Sequence, residues 1–342
     1  MSRWILIGGA GFTGQNIVRK LIKNKIPKNK IIIADKRDFT QETNLAATLE
    51  YCDISKNILP QLQKDDIVIH LAARQYHNKI PYFKQLDWFR EVNLVGTKYL
   101  INKCLKNNVK GLIYFSSDMV YGIPKNIPIK PNHHRKPLGP YGKSKLEAEN
   151  LCIKSRNKGL NITILRPRLI MGSGRLGVMK KLFKAISQNK PVPLIGKGLN
   201  YYQMVSVKDC ADAAILAANK GFPNIELNLG SAPGPNVKKL LKVLIKKVNS
   251  KSKLIPLPAI FVKNGLKLLD NLGLTILHAE QYKIANKNYI VDISDTYSRL
   301  GWKPKYTDED MIIDAYKFWK NSKQPSRLHF KCTIITVYNF MF

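Results

Sequence analysis

The feature that most constrains this chain is the run Trp4-Ile5-Leu6-Ile7, followed at once by Gly-Gly-Ala-Gly-Phe-Thr-Gly at residues 8–14. An apolar strand enters a loop with glycines at Gly8, Gly11 and Gly14, and a helix-like stretch, Gln15 to Lys23, leaves it. Such a loop lets backbone approach a pyrophosphate at a helix N-terminus. Gly8, Gly11, Phe12, Thr13 and Gly14 are therefore candidate dinucleotide-binding residues.

The same alternation continues downstream. Strand-like runs occur at Trp4–Ile7, Ile31–Ala34, Thr48–Tyr51, Ile67–Leu71, Gly111–Ser116 and Ile162–Arg166, with helix-like stretches between them, notably Trp88–Lys106 and Gly139–Arg156. Near-continuous apolar strands alternating with amphipathic helices predict a parallel sheet covered on both faces. With right-handed crossovers this is an α/β, Rossmann-type doubly wound fold. After about residue 167 glycine and proline become more frequent, over 172–202 and 221–275. The expected organisation is a dinucleotide-binding core over 1–167, with returns near 203–230 and 280–295. A smaller, interleaved substrate-binding region occupies most of 168–323, and an atypical tail, 324–342, is expected to be a poorly ordered extension. Val207–Asn219 and Asn236–Val248 read as helices, the second with Leu240, Leu241, Leu244, Ile245 and Val248 on one face. The apolar and basic segment Lys251–Leu277 reads as a lid over the substrate; a membrane-touching helix pair is the other reading.

Charge needs weighing, because the formal net charge is +34. Lysine outnumbers arginine 45 to 12 and is spread along the whole chain. This fits a compositional bias better than a nucleic-acid module, although it favours an anionic substrate. No specific nucleic-acid partner is expected. Five cysteines, Cys52, Cys104, Cys152, Cys210 and Cys332, form no close pairs, which points to reduced thiols in a cytoplasm. No signal peptide is visible, and no uninterrupted apolar run is long enough to span a bilayer.

Several residues suggest chemistry. Asp35 lies 21 residues after Gly14, where a carboxylate can accept hydrogen bonds from adenosine ribose hydroxyls. That favours NAD over NADP, although Lys36 and Arg37 could accommodate a 2′-phosphate. Asp53, with Ile54 beside it, follows the third strand and is placed to meet the adenine. Leu71, Ala72 and Ala73 follow His70 at the end of the fourth strand, where small residues let a cofactor lie close to backbone. Tyr141 and Lys145, four apart, share a helix face. Free tyrosine, with a pKa of about 10, is a poor base near neutrality. A neighbouring ammonium and an oxidised nicotinamide both favour its phenolate. Ser117, in Ser116-Ser117-Asp118 at the end of the fifth strand, can orient a reacting alcohol. The adjacent His133 and His134 do not converge on one centre, and no metal site is expected.

Together these stretches resemble the extended short-chain dehydrogenase/reductase family, in its nucleotide-sugar epimerase/dehydratase branch. The matching motifs are GGAGFTG at 8–14, HLAA at 70–73, VNLVGT at 92–97, SSDMVYG at 116–122, YGKSK at 141–145, RPRLIMG at 166–172 and VSVKDCADA at 205–213. NLGSAPG at 228–234 and RLGWKP at 299–304 follow, so the resemblance covers roughly residues 3–320. It implies NAD as cofactor, Ser117 as the catalytic hydroxyl, Tyr141 as base, and Lys145 as its partner and a ribose ligand. It also implies that Pro167 lies near the nicotinamide and that Asn93 is structural and cofactor-adjacent. Dimers are common in that family.

The chain departs from the pattern in places. Dehydratases of this branch carry an Asp-Glu pair after the catalytic hydroxyl, whereas Asp118 is followed by Met119. Elimination needs a placed acid, so dehydration is disfavoured. Leu169 stands where many epimerases have Asn, and Tyr201 or Tyr202 stands near the expected phosphate-binding Arg. Asp118, Arg168, Arg175, Lys197 and Gln203 are the candidate substrate contacts. The favoured expectation is an NAD-dependent nucleotide-sugar epimerase. A reductase or dehydrogenase of the same fold, including a hydroxysteroid-type enzyme, is the alternative, and a non-catalytic dinucleotide-binding protein is the third reading.

Overall fold

The computed structural model describes residues 1–37, 48–76, 80–174, 179–272 and 277–322. Arg175 and the tail 324–342 lie outside the described residues. The first half runs β1 (Trp4–Ile7), α1 (Phe12–Lys23), β2 (Ile31–Asp35), β3 (Thr48–Tyr51), β4 (Ile67–His70), α2 (Gln85–Arg90), α3 (Thr97–Lys106), β5 (Gly111–Phe115), α4 (Pro140–Arg156) and β6 (Ile162–Pro167). It continues through β7 (Leu169–Met171), α5 (Met179–Ser187), β8 (Val192–Ile195), β9 (Met204–Ser206), α6 (Val207–Asn219), β10 (Glu226–Leu229) and α7 (Val237–Lys247). The last elements are β11 (Leu254–Leu257), α8 (Ala259–Asn271), α9 (Ala279–Ile284), α10 (Ser294–Leu300) and α11 (Asp308–Asn321).

A seven-stranded parallel sheet, in the order β10-β6-β5-β4-β1-β2-β3, forms the centre. The chain winds outward from β1 to β3, then returns to β4 on the other side of β1. The carboxyl ends of β1 and β4 therefore flank the switch point, where ligands of doubly wound sheets bind. Strands β1, β2, β4, β5 and β6 are buried along their whole length, as two-faced burial requires. One apolar cluster joins this sheet to α1 and α6 through residues such as Val18, Leu21, Ala211 and Ala214. Another joins its opposite face to α3 and α4 through Leu100, Cys104, Ala148 and Cys152.

Outside the sheet, Phe183, Leu194, Leu241, Leu244, Ile312 and Trp319 form a separate cluster among α5, β8, α7 and α11. Residues 280–295 add no strand to the main sheet: Val291 pairs with Ile129 and Tyr289 with Tyr202. Segment Lys251–Leu277 gives the strand β11, paired with β8, and the single helix α8 over its described residues, rather than a helix pair. The stretch Trp88–Lys106 is helical, but Glu91–Gly96 within it is wound as a π-helix. Such segments often mark functional sites, and this one carries Asn93. Among the described residues no helix is long and apolar enough to cross a membrane.

Candidate functional site

The glycine loop is shaped by close approach. Gly8 has φ +81°, and a Cβ there would lie 2.6 Å from the Ala72 nitrogen. The N–H groups of Leu71 and Ala72 bond the Ile7 carbonyl at 2.8 and 2.9 Å, which draws the end of β4 against the loop. Gly11 caps α1 without a side-chain hydrogen bond, and no acidic residue occupies the first turn that holds Phe12 and Thr13. The N-terminus of α1, with its partial positive charge, thus carries no acidic side chain that would compete with a bound anion. Gly14 is buried against Gly9, where a side chain would collide with backbone.

Asp35 ends β2 with its carboxylate buried beside this loop. Its Oδ2 accepts from the Ala10 N–H at 3.1 Å, which ties strand end to glycine loop. The Arg37 guanidinium folds back onto both carboxylate oxygens, at 3.2 and 3.1 Å. Asp53 caps the turn at Ile54–Lys56, taking the N–H and hydroxyl of Ser55 at 3.0 and 2.6 Å. Ile54 is buried, and a Cβ on Gly96 would lie 2.6 Å from its side chain.

At the carboxyl end of β5, Ser117 Oγ lies 3.2 Å from Asp118 Oδ1 and accepts from the Met119 N–H. The first turn of α4 packs on this segment, since a Cβ on Gly142 would sit 2.6 Å from the Met119 carbonyl oxygen. That turn carries Tyr141, whose ring lies 5.7 Å from those of Tyr76 and Phe89. One turn on, buried Lys145 donates from Nζ to the Phe115 carbonyl at 2.7 Å and faces the Tyr114 ring at 4.3 Å. Burial pulls its pKa down to about 7. Asn93 fastens the arrangement: its Oδ1 accepts from the Arg74 N–H at 2.8 Å, and its Nδ2 donates to Ser144 Oγ at 2.9 Å. Ser144 in turn donates to the Tyr141 carbonyl. Buried His70 contacts Thr97 Oγ1 through Nε2 at 2.9 Å, while Thr97 donates to the Asn93 carbonyl. The imidazole must therefore carry its proton on Nε2. Burial, helped by the Lys145 charge, lowers its pKa to about 3 and keeps it neutral.

Pro167 ends β6, and buried Arg168 follows it. Arg168 Nη1 bonds Asp118 Oδ2 at 2.6 Å, while its guanidinium lies 4.1 and 4.2 Å from the ring centres of Tyr202 and Tyr289. Its Nε and Nη2 are buried and meet no acceptor at hydrogen-bonding geometry among the described residues. Gln203 is a stitch between backbones: Nε2 donates to the Ser231 carbonyl at 2.6 Å, and Oε1 accepts from the Val291 N–H at 2.8 Å. Lys197 is exposed in the turn after β8. Beneath these residues, Glu149 binds Arg166 through two contacts of 2.9 and 2.7 Å and Arg135 at 3.0 Å.

Sequence reasoning missed Glu280. This carboxylate, buried on α9, accepts from the Gly142 N–H at 3.3 Å and so caps the helix that bears Tyr141. Tyr76 hydrogen-bonds it and stacks on His278 at 4.0 Å. Burial drives the Glu280 pKa up to about 7, against the pull of Tyr76 and of the Gly142 and Tyr141 N–H groups. The signal available was a lone glutamate in an otherwise basic stretch.

Comparison with known proteins agrees with this geometry. The family profile described as NAD dependent epimerase/dehydratase matches residues 4–230. An uncharacterized protein, y4nG of Sinorhizobium fredii, is 31% identical, over 93% of this chain and 79% of its own. A putative UDP-glucose 4-epimerase of Methanocaldococcus jannaschii is 26% identical, over 94% and 99%. The solved UDP-glucuronic acid 4-epimerase from Bacillus cereus, in complex with NAD, superposes with a TM-score of 0.73 at 21% identity, covering 94% of this chain and 100% of that one. Its likeness speaks to the fold, and the profile match to the family. The chain belongs to the NAD-dependent epimerase/dehydratase family.

Proposed function

We propose that the chain is an NAD-dependent epimerase of nucleotide sugars, with Tyr141 as the base. The observation that carries this reading is the packing around the end of β5: Ser117 accepts from the Met119 N–H, the first turn of α4 with Tyr141 lies against the Met119 carbonyl, and buried Lys145 donates to the Phe115 carbonyl. The cradle suits a dinucleotide: it has glycine where a Cβ would fill it, and a helix N-terminus whose cap is glycine and whose first turn carries no acidic residue. Gly8, Gly11, Phe12, Thr13 and Gly14 would hold the pyrophosphate, and Asp35 the adenosine ribose. Asp53, Ile54, Leu71, Ala72 and Ala73 would border the adenine side. Asn93, Tyr141, Lys145 and Pro167 would border the nicotinamide side. NAD, when bound, supplies a hydride acceptor that can return the hydride to the opposite face of the same carbon.

The chain's own residues handle the proton. Tyr141 accepts it from a sugar hydroxyl through its phenolic oxygen, and Lys145, in its protonated form, supplies the positive charge that favours the phenolate. Ser117 holds the reacting oxygen. Asn93, through Ser144, fixes the first turn of α4 and so the position of Tyr141. Epimerisation is favoured over dehydration on two grounds. Met119 supplies no acid, and the Asp118 carboxylate is engaged by Arg168 at 2.6 Å. Pure protein with a panel of nucleotide sugars and catalytic NAD should yield an epimer without added reductant.

One observation favours a second reading, a reductase or dehydrogenase of the same fold. Arg168 is buried, caged by two tyrosine rings and paired to Asp118, rather than exposed for a diphosphate. Stoichiometric NAD(P)H consumption with a carbonyl substrate, and no epimer from any nucleotide sugar, would replace the first reading with this one.

A further inference from the structure

Helix α8 has none of the residues Ala259–Asp270 fully buried. Ile260, Phe261 and Leu268, with Leu272 just beyond the helix end, are 66%, 73%, 61% and 64% exposed. At helical spacing the four fall within one sector of about 120°. Ile255 and Leu257 on the preceding β11 are exposed as well. An exposed apolar helix face of this kind is a candidate interaction site.

The surround of that face is basic. Lys267 is exposed on α8 itself. Lys263 Nζ reaches the Lys283 carbonyl at 2.9 Å, which brings exposed Lys283 and Lys287 to the same flank. Exposed Lys197 follows Gly196, whose N–H bonds the Leu257 carbonyl at 2.7 Å. Of the acidic residues here, Glu280 is buried and Asp270 is half-buried.

We infer that the α8 face docks on an anionic lipid bilayer. Ile260, Phe261, Leu268 and Leu272 enter the boundary between headgroups and acyl chains, and the flanking lysines meet lipid phosphates. Charge decides between occupants. A second copy, related by a two-fold axis, would set one lysine rim against the other. A bilayer carrying anionic lipid complements that rim. Because α8 packs on α9, and Glu280 of α9 touches the first turn of α4, docking holds the Tyr141 cleft close to the membrane surface.

Flotation of the full chain with phosphatidylcholine vesicles, with and without phosphatidylglycerol, tests this. Binding should require phosphatidylglycerol and weaken with added salt. The double variant Phe261→Ser, Leu268→Ser should lose about tenfold or more in partitioning. Lys267→Glu should weaken binding to the anionic vesicles. All three positions lie outside the proposed cofactor and catalytic residues, so unchanged NAD binding reports an intact fold. Absence of binding to anionic vesicles, or binding that the double variant leaves unchanged, overturns the inference. A dimer that the double variant splits, with no vesicle binding, overturns it in favour of a second copy.

Discussion

Replacing Glu280 with glutamine should change how stability depends on pH. The native carboxyl is raised from 4.5 to about 7, first by burial and further by the Asp118 charge. Between those values the folded chain holds a proton that the unfolded chain has released. The stabilisation is therefore fully present below about pH 4.5 and is lost as pH rises through about 7. The difference amounts to about 3 kcal/mol. Glu280→Gln has no proton to lose, and its amide oxygen can still accept from the Gly142 N–H. The variant should thus gain on the parent protein by about 2–3 kcal/mol between pH 5 and pH 8. Urea unfolding of both proteins across that range reads the difference directly, because the other titrating groups are common to both. Parallel stability curves would instead mean that Glu280 titrates alike in the folded and unfolded chains.

Further outcomes follow from the same structure. Gly8→Ala, placing a Cβ 2.6 Å from the Ala72 nitrogen at a positive φ, should weaken NAD binding by about tenfold or more in a calorimetric titration; unchanged affinity would contradict the close approach. Glu149→Ala leaves the Arg166 guanidinium buried without its countercharge and should cost about 3–5 kcal/mol in denaturant unfolding; a variant as stable as the parent would contradict the role of that pair. Tyr141→Phe should lower turnover by about 10²- to 10⁴-fold while cofactor content stays constant. Loss of cofactor instead would make Tyr141 a binding residue and not the base.

What was legible in the sequence is what local pattern dictates. The apolar strands and the glycine loop show themselves because burial on two sheet faces and a tight βα turn leave few residue choices. The strand positions agree closely with those observed, Gly111–Ser116 against β5 at Gly111–Phe115 for example. Trp88–Lys106 reads as one helix because the π-helical turn at Glu91–Gly96 leaves the apolar pattern intact. Helix α4 is less regular as a pattern, since Tyr141, Ser144, Lys145 and Glu149 are buried polar groups in the positions that apolar residues would otherwise fill. Contacts distant in sequence stay hidden. Glu280 meets Gly142 across 138 positions, and the Tyr289 ring reaches Arg168 from a segment with no motif of its own. Gln203 looks like a polar group at a cleft, but two backbone partners far along the chain take up its amide.

In the proposed reaction, inversion proceeds by transient hydride transfer at one carbon, with Tyr141 moving only the hydroxyl proton. Running the reaction in deuterium oxide on a nucleotide sugar that turns over, and reading the product by mass spectrometry, tests it most directly. Product with no carbon-bound deuterium is expected, because the hydrogen that leaves the carbon also returns to it. Deuterium fixed on the inverted carbon would rule out returned hydride and point to direct removal of a carbon-bound proton.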